Sequence, residues 1–77
     1  MQTNLTVFAS FTDEPRSDIE IVVSMQCGDL VERHCETMPG NEAWLFGDRL
    51  DAVDIAIARA LRNSRSISER LIRKCTQ

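Results

Sequence analysis

The chain is poor in the residues that most often mark chemistry. It has no tyrosine, three phenylalanines, one tryptophan, three glycines and two prolines among 77 residues. It contains no glycine-rich phosphate loop, no serine nucleophile motif and no closely paired carboxylates with an evident pocket, so no catalytic residue and no cofactor is assigned and an enzyme is not expected. No apolar run approaches the roughly 20 residues that cross a bilayer, and Met1-Gln2-Thr3-Asn4 lacks the basic and apolar regions of a secretory signal. The expectation is a cytoplasmic protein without a membrane partner. Three cysteines, Cys27, Cys35 and Cys75, are an odd number outside any secretory context, which argues for reduced thiols and against a disulfide framework.

What is present is an ordinary globular composition, 43% apolar and 27% charged, without repeats or a linker-like stretch. A single domain this short buries only about 60% of the surface its unfolded chain exposes, so its core is thin. The net charge of −3 conceals a separation. Residues 1–58 carry eleven acids and three bases, a net −8, whereas residues 59–77 carry one acid and six bases, a net +5.

Hydrophobic periodicity predicts an α+β fold, an antiparallel meander of three to four strands packed against one or two C-terminal helices. Leu5, Val7, Ala9 and Phe11 alternate with Thr6, Phe8 and Ser10, which makes residues 4–11 a half-buried strand. Thr12 to Asp18 collect turn formers around Pro15. Residues 19–27 form the clearest strand, with Ile19, Ile21, Val23, Met25 and Cys27 on one side and Glu20, Val22, Ser24 and Gln26 on the other. Gly28-Asp29 invites a two-residue hairpin, but that register sets Met25 against Glu32 and Val23 against His34 on the buried face. A three-residue loop over Gly28-Asp29-Leu30 instead pairs Cys27 with Val31, Val23 with Cys35 and Ile21 with Thr37, with Arg33 beside Met25 as its misfit. It makes residues 31–37 the third strand, with Glu32, His34 and Glu36 on the polar face.

Beyond Met38, Pro39-Gly40 suits a type II turn, and residues 43–46 read as a fourth short strand or a buried connector. Asp48 can cap a helix over residues 49–62, whose inward stripe is Leu50, Val53, Ile57, Ala60 and Leu61. Continued unbroken to residue 75 it would reach about 40 Å, against a radius of gyration near 11 Å for a chain of about this length, so it protrudes or breaks. Asn63-Ser64-Arg65 are weak helix formers, and Ser66-Ile67-Ser68-Glu69 read as a capping box opening a second helix over residues 67–75.

Two surfaces are candidates for partner binding. Phe8 falls opposite Val22 on the sheet's outer face, where Glu20, Glu32, His34 and Glu36 would form an acidic rim around an apolar anchor. Arg59, Arg62, Arg65, Arg70 and Arg73, with Lys74, form a basic helical stripe with Ile55 exposed among it. That stripe either neutralises phosphates or, with Asp48, Asp51 and Asp54 at the helix start, complements the macrodipole. His34 and Cys35 point to opposite faces of a strand and cannot form a catalytic dyad, and the cysteines lack the close spacings of a structural zinc site, so no metal is assigned. The aspartates advance three residues per step and drift around the helix instead of converging on a cation.

The expected function is therefore that of a small non-enzymatic module that docks on a larger protein or protein–nucleic-acid complex and regulates or inhibits it. Phage and mobile-element inhibitors of host defence systems share this size and acidity. Nucleic-acid binding through the arginine-rich helix is the alternative. A homodimer in which the basic helix of one copy meets the acidic segment of another is a third reading.

Overall fold

Alternating side chains in the first half of the chain build a sheet, and the periodic second half covers one of its faces. The computed structural model describes residues 3–14 and 16–76. It contains β1 (Thr3–Ser10), β2 (Ile19–Cys27), β3 (Leu30–Met38), α1 (Gly40–Trp44), α2 (Arg49–Asn63) and α3 (Arg65–Cys75). The strands form an antiparallel sheet in the order β1-β2-β3, followed by the helices, so the fold is the α+β arrangement expected.

β2 is the spine. Ile19, Ile21, Val23, Met25 and Cys27 are buried, while Glu20 and Gln26 face water. Period-2 alternation on the central strand thus sends one apolar row beneath the helices. β1 pairs with it in the expected register, with Phe8 opposite Val22.

The β2–β3 register differs from expectation. The hairpin uses the two-residue Gly28-Asp29 turn, so Cys27 pairs with Leu30, Met25 with Glu32, Val23 with His34 and Ile21 with Glu36. Gly28 has φ 62° at the first central position, as a type II′ turn requires, and that turn matches the twist of the flanking strands. The polar residues this places on the inner face are tolerable because β3 is an edge strand. Glu32, His34 and Glu36 are only partly buried there, and their stems can lie along the core margin while their polar heads reach its rim.

The expected fourth strand is also corrected. Pro39, with φ −59° and ψ 145°, precedes the short helix α1, and its carbonyl accepts from the amides of Glu42 (3.0 Å) and Ala43 (2.9 Å). Gly40 does not take the positive φ of a type II turn. Its amide donates to Asp18 Oδ1 at 2.8 Å, and a Cβ there would lie 1.7 Å from the Arg16 carbonyl oxygen. The β1–β2 loop therefore packs directly onto Gly40.

Asp48 caps α2 as its position suggests, accepting from the Leu50 amide at 3.0 Å. Val53 and Ala60 are buried as expected and Ile57 packs against the core, but Ala52 and Ala56 complete the buried stripe in place of Leu50 and Leu61, which are 64% and 36% exposed. Small side chains allow the helix backbone to approach a sheet whose own Ile and Met residues fill the space. Ile55, expected among the exposed arginines, packs against the core instead.

The helical run breaks at Ser64, two residues before the expected capping box. Ser64 is buried, has φ −84° and ψ −4°, and donates from its hydroxyl to the Leu61 carbonyl at 3.0 Å. α3 continues from there with no side-chain cap. Arg49 donates to the Thr12 carbonyl at 3.1 Å and the Ser17 carbonyl at 2.7 Å, whereas Cys75 is bonded to Cys27. The two helices thus follow β2 from one end to the other. The body is elongated, with extents of 46 × 17 × 14 Å and a radius of gyration of 14.2 Å, larger than a sphere-like domain would have.

The Cys27–Cys75 disulfide overturns the reading of reduced thiols and removes the premise of the compartment argument. Cys27 ends the inward row of β2, and the last turn of α3 lies over it. Among the described residues Cys35 is the free cysteine, and no helix is long and apolar enough to cross a membrane.

The bond closes a loop across 48 positions, for which the chain-entropy relation gives about 4 kcal/mol. Leu71 is the one fully buried residue described in α3, so this helix depends strongly on that closure. Cys75→Ser is expected to lower the unfolding free energy by ~2–4 kcal/mol in urea titrations, and a reductant should do the same to the wild type but not to the variant. Gly40→Ala should cost ~1–3 kcal/mol by the same measurement, because the added methyl meets backbone and not a movable side chain.

Candidate functional site: the uncovered sheet face

All three helices follow the sheet, and the buried row of β2 faces them, so the opposite face is left bare. The pairing registers define its rows. The central row is Phe8, Val22 and Cys35. On the hairpin side lie Thr6, Ser24 and Arg33, and beyond them Asn4, Gln26 and Val31; on the other side lie Ser10, Glu20 and Thr37. Phe8 is 62% and Val31 51% exposed, Val22 is half-buried by its neighbours, and the Cys35 thiol is exposed. A solvated face is normal for an antiparallel sheet, but a Phe-Val-Cys row across its middle is not the polar half of an alternating pattern.

Phe8, Val22 and Glu20 stand together on this face as expected. Glu32, His34 and Glu36 do not, because the two-residue turn places them on the side facing the helices. The acidic rim inferred from them does not exist. Glu20 and Arg33, one of each sign on either side of the apolar row, take its place. The signal that could have found Val31, Arg33 and Cys35 was the Gly28-Asp29 pair itself, whose turn preference outweighs the alternation of an edge strand.

The displaced residues have a structural role. His34 Nε2 and Glu36 Oε1 lie 2.8 Å apart, and the Asn63 side-chain amide donates to the same carboxylate at 2.7 Å. These contacts join β3 to the end of α2 beside a groove of about 330 Å³ that also touches Ile21, Met38, Ala56 and Arg59. The hydrogen bond to His34 holds the Glu36 carboxyl below the ordinary carboxylate range; partial burial opposes this, and the Asn63 hydrogen bond and the charges of His34 and Arg59 reinforce it.

The basic stripe divides. Arg59 is half-buried and pairs with Glu42 at 2.5 Å, tying α2 to α1. Arg62, Arg65, Arg70, Arg73 and Lys74 are exposed, and among the described residues none of them forms an ion pair.

A second apolar surface escaped the sequence. Trp44, Leu45 and Leu50 are 53%, 75% and 64% exposed at the end of the molecule where α2 begins, and the Arg16 guanidinium sits 5.0 Å from the Trp44 ring centroid. Among the described residues no group of three His, Cys, Asp or Glu side chains is placed to hold a metal ion. Cys27 and Cys75 are spent on each other, and Cys35 lies on the far side of the sheet.

No protein-family model, curated protein or solved structure matches this chain.

The Glu36 cluster makes a pH prediction. Its folded pKa lies below the unfolded value, so its contribution is fully present above an unfolded carboxyl pKa of about 4.3 and is lost as pH falls through the lower folded value. Urea midpoints measured in steps below pH 5 should fall in the wild type, and Glu36→Gln should flatten that part of the decline.

Proposed function

We propose that this protein is a non-catalytic docking module that binds another protein through the outer face of its sheet and so regulates or inhibits a larger assembly. The observation that carries this reading is Phe8, largely exposed at the centre of a sheet face that no helix covers, beside Val22 and the Cys35 thiol. An aromatic side chain on a rigid strand gives up little conformational freedom on binding and buries a large area, which is the usual chemistry of an interface anchor. Thr6, Ser10, Ser24 and Thr37 surround it with hydroxyls, and Arg33 and Glu20 supply opposite charges for orientation. A small regulator of the kind carried by phages or mobile elements is the biological role most in keeping with such a surface on so short a chain.

Nucleic-acid binding is the second reading, and the exposed Arg62, Arg65, Arg70 and Arg73, which form no ion pair among the described residues, favour it. It ranks lower because the chain is acidic overall and α3 carries no aromatic side chain on which a base could stack.

Immobilised wild type and Phe8→Asp, both checked for native circular dichroism, distinguish the readings. Docking through the sheet predicts that the variant weakens partner binding by about thirtyfold or more, as loss of an anchor does, while an Arg70→Ala and Arg73→Ala double variant binds normally. If instead filter binding detects nucleic acid and the double variant lowers the slope of affinity against salt by about 2, the sheet is not the principal contact.

A further inference from the structure

The outer sheet face is self-complementary, and this says what can cover it. We propose that a second copy of the chain docks on it face to face, as a two-fold dimer in which Arg33 of each copy reaches Glu20 of the other. This inference rests on the reading of the outer face as a docking surface and names its partner.

Two sheets that meet by their faces are related by a two-fold axis lying in the interface plane, and only two orientations keep the strands aligned. An axis running along the strands preserves the rows and exchanges β1 with β3. It sets Glu20, on the central strand, against Glu20 of the second copy, and Arg33 against Thr6. Like charges then face one another while both arginines are left without a counter-charge.

An axis running across the strands through the Phe8-Val22-Cys35 row preserves the strand order and exchanges the rows. Phe8, Val22 and Cys35 each meet their own counterparts, which closes the apolar row on itself. The Thr6-Ser24-Arg33 row then faces the Ser10-Glu20-Thr37 row of the other copy. Arg33 lies over Thr37, and Glu20 is one strand away, about 4.8 Å across the sheet, within the span of an arginine side chain. The operator makes this contact twice. Electrostatics thus selects the second orientation, and the same choice buries the exposed aromatic ring.

The face is three strands wide and eight or nine residues long. At ordinary strand spacing it covers roughly 400–500 Å² in projection, less than the roughly 800 Å² per partner of a standard interface. Association is therefore weak and depends on concentration, with dissociation in the roughly micromolar range or above.

Sedimentation equilibrium of the oxidised chain from micromolar to submillimolar concentration tests the proposal. The mass should rise from that of one chain toward that of two. Phe8→Asp, Glu20→Arg and Arg33→Glu alter exposed positions and should each weaken association by about tenfold or more, whereas Glu20→Arg combined with Arg33→Glu should restore it, because the swapped charges meet again. A short bismaleimide should join Cys35 of two copies in the associating forms only, since Cys27 and Cys75 are already bonded to each other. A monomer at every concentration overturns self-association; if Phe8→Asp then still abolishes capture of a different protein, docking through this face stands, and if it does not, both readings fall. A dimer that Phe8→Asp and the charge reversals leave unchanged also overturns the proposal, by placing its interface elsewhere.

Discussion

The two-residue turn at Gly28-Asp29 is the constraint on which both faces of the sheet depend. Side chains alternate along a strand with a period of two, so shifting β3 by one residue would move its whole set of side chains from one face to the other. With Gly28 at positive φ, the turn holds Glu32, His34 and Glu36 beneath the helices and sends Val31, Arg33 and Cys35 to the bare side. The contacts of Glu36 with His34 and Asn63 follow from this choice, as does the mixed character of the outer face.

Around that sheet the core is thin and the helices are held by a few specific devices. α2 packs through alanines, which contribute little apolar area each but bring its backbone close to β2 around Ile21. Its start is fastened by the Asp48 cap and by Arg49 donating to the Thr12 and Ser17 carbonyls, its middle by Arg59 and Glu42. α3 buries Leu71 and is closed onto β2 by the disulfide. A 77-residue chain has little apolar surface to bury, and covalent closure of its far end offsets part of that shortfall.

The same economy explains the bare sheet face. Every helix lies on one side of three strands, so nothing remains to cover the other, and residues that would be core in a three-layer fold face solvent. Phe8 is not an isolated exposed side chain, which would need no explanation. It sits in a row with Val22 and Cys35, flanked by one acid and one base. The exposed cations of α3 belong to the opposite side of the molecule and form a separate electrostatic feature.

Local pattern alone determined much of this molecule. The alternation of residues 19–27 identified the central strand and its inward row, the β1 register followed from the same parity, and Asp48 marked the start of α2. The separation of an acidic segment, residues 1–58, from a basic one, residues 59–77, is a property of the chain itself. Tertiary structure alone decided that Glu32 and Glu36 lie half-solvated beneath the helices, the pairing of Cys27 with Cys75, the short helix where an apolar run resembled a strand, and the alanines on the inward face of α2. Each of these turns on distances between residues far apart in the chain: whether an edge strand can leave a carboxylate half-solvated, whether a helix ends over a particular thiol, whether the Arg16 carbonyl leaves room for anything but hydrogen at position 40. Periodicity reports which side of an element is apolar, but the neighbours that side will meet are settled only when the chain closes on itself.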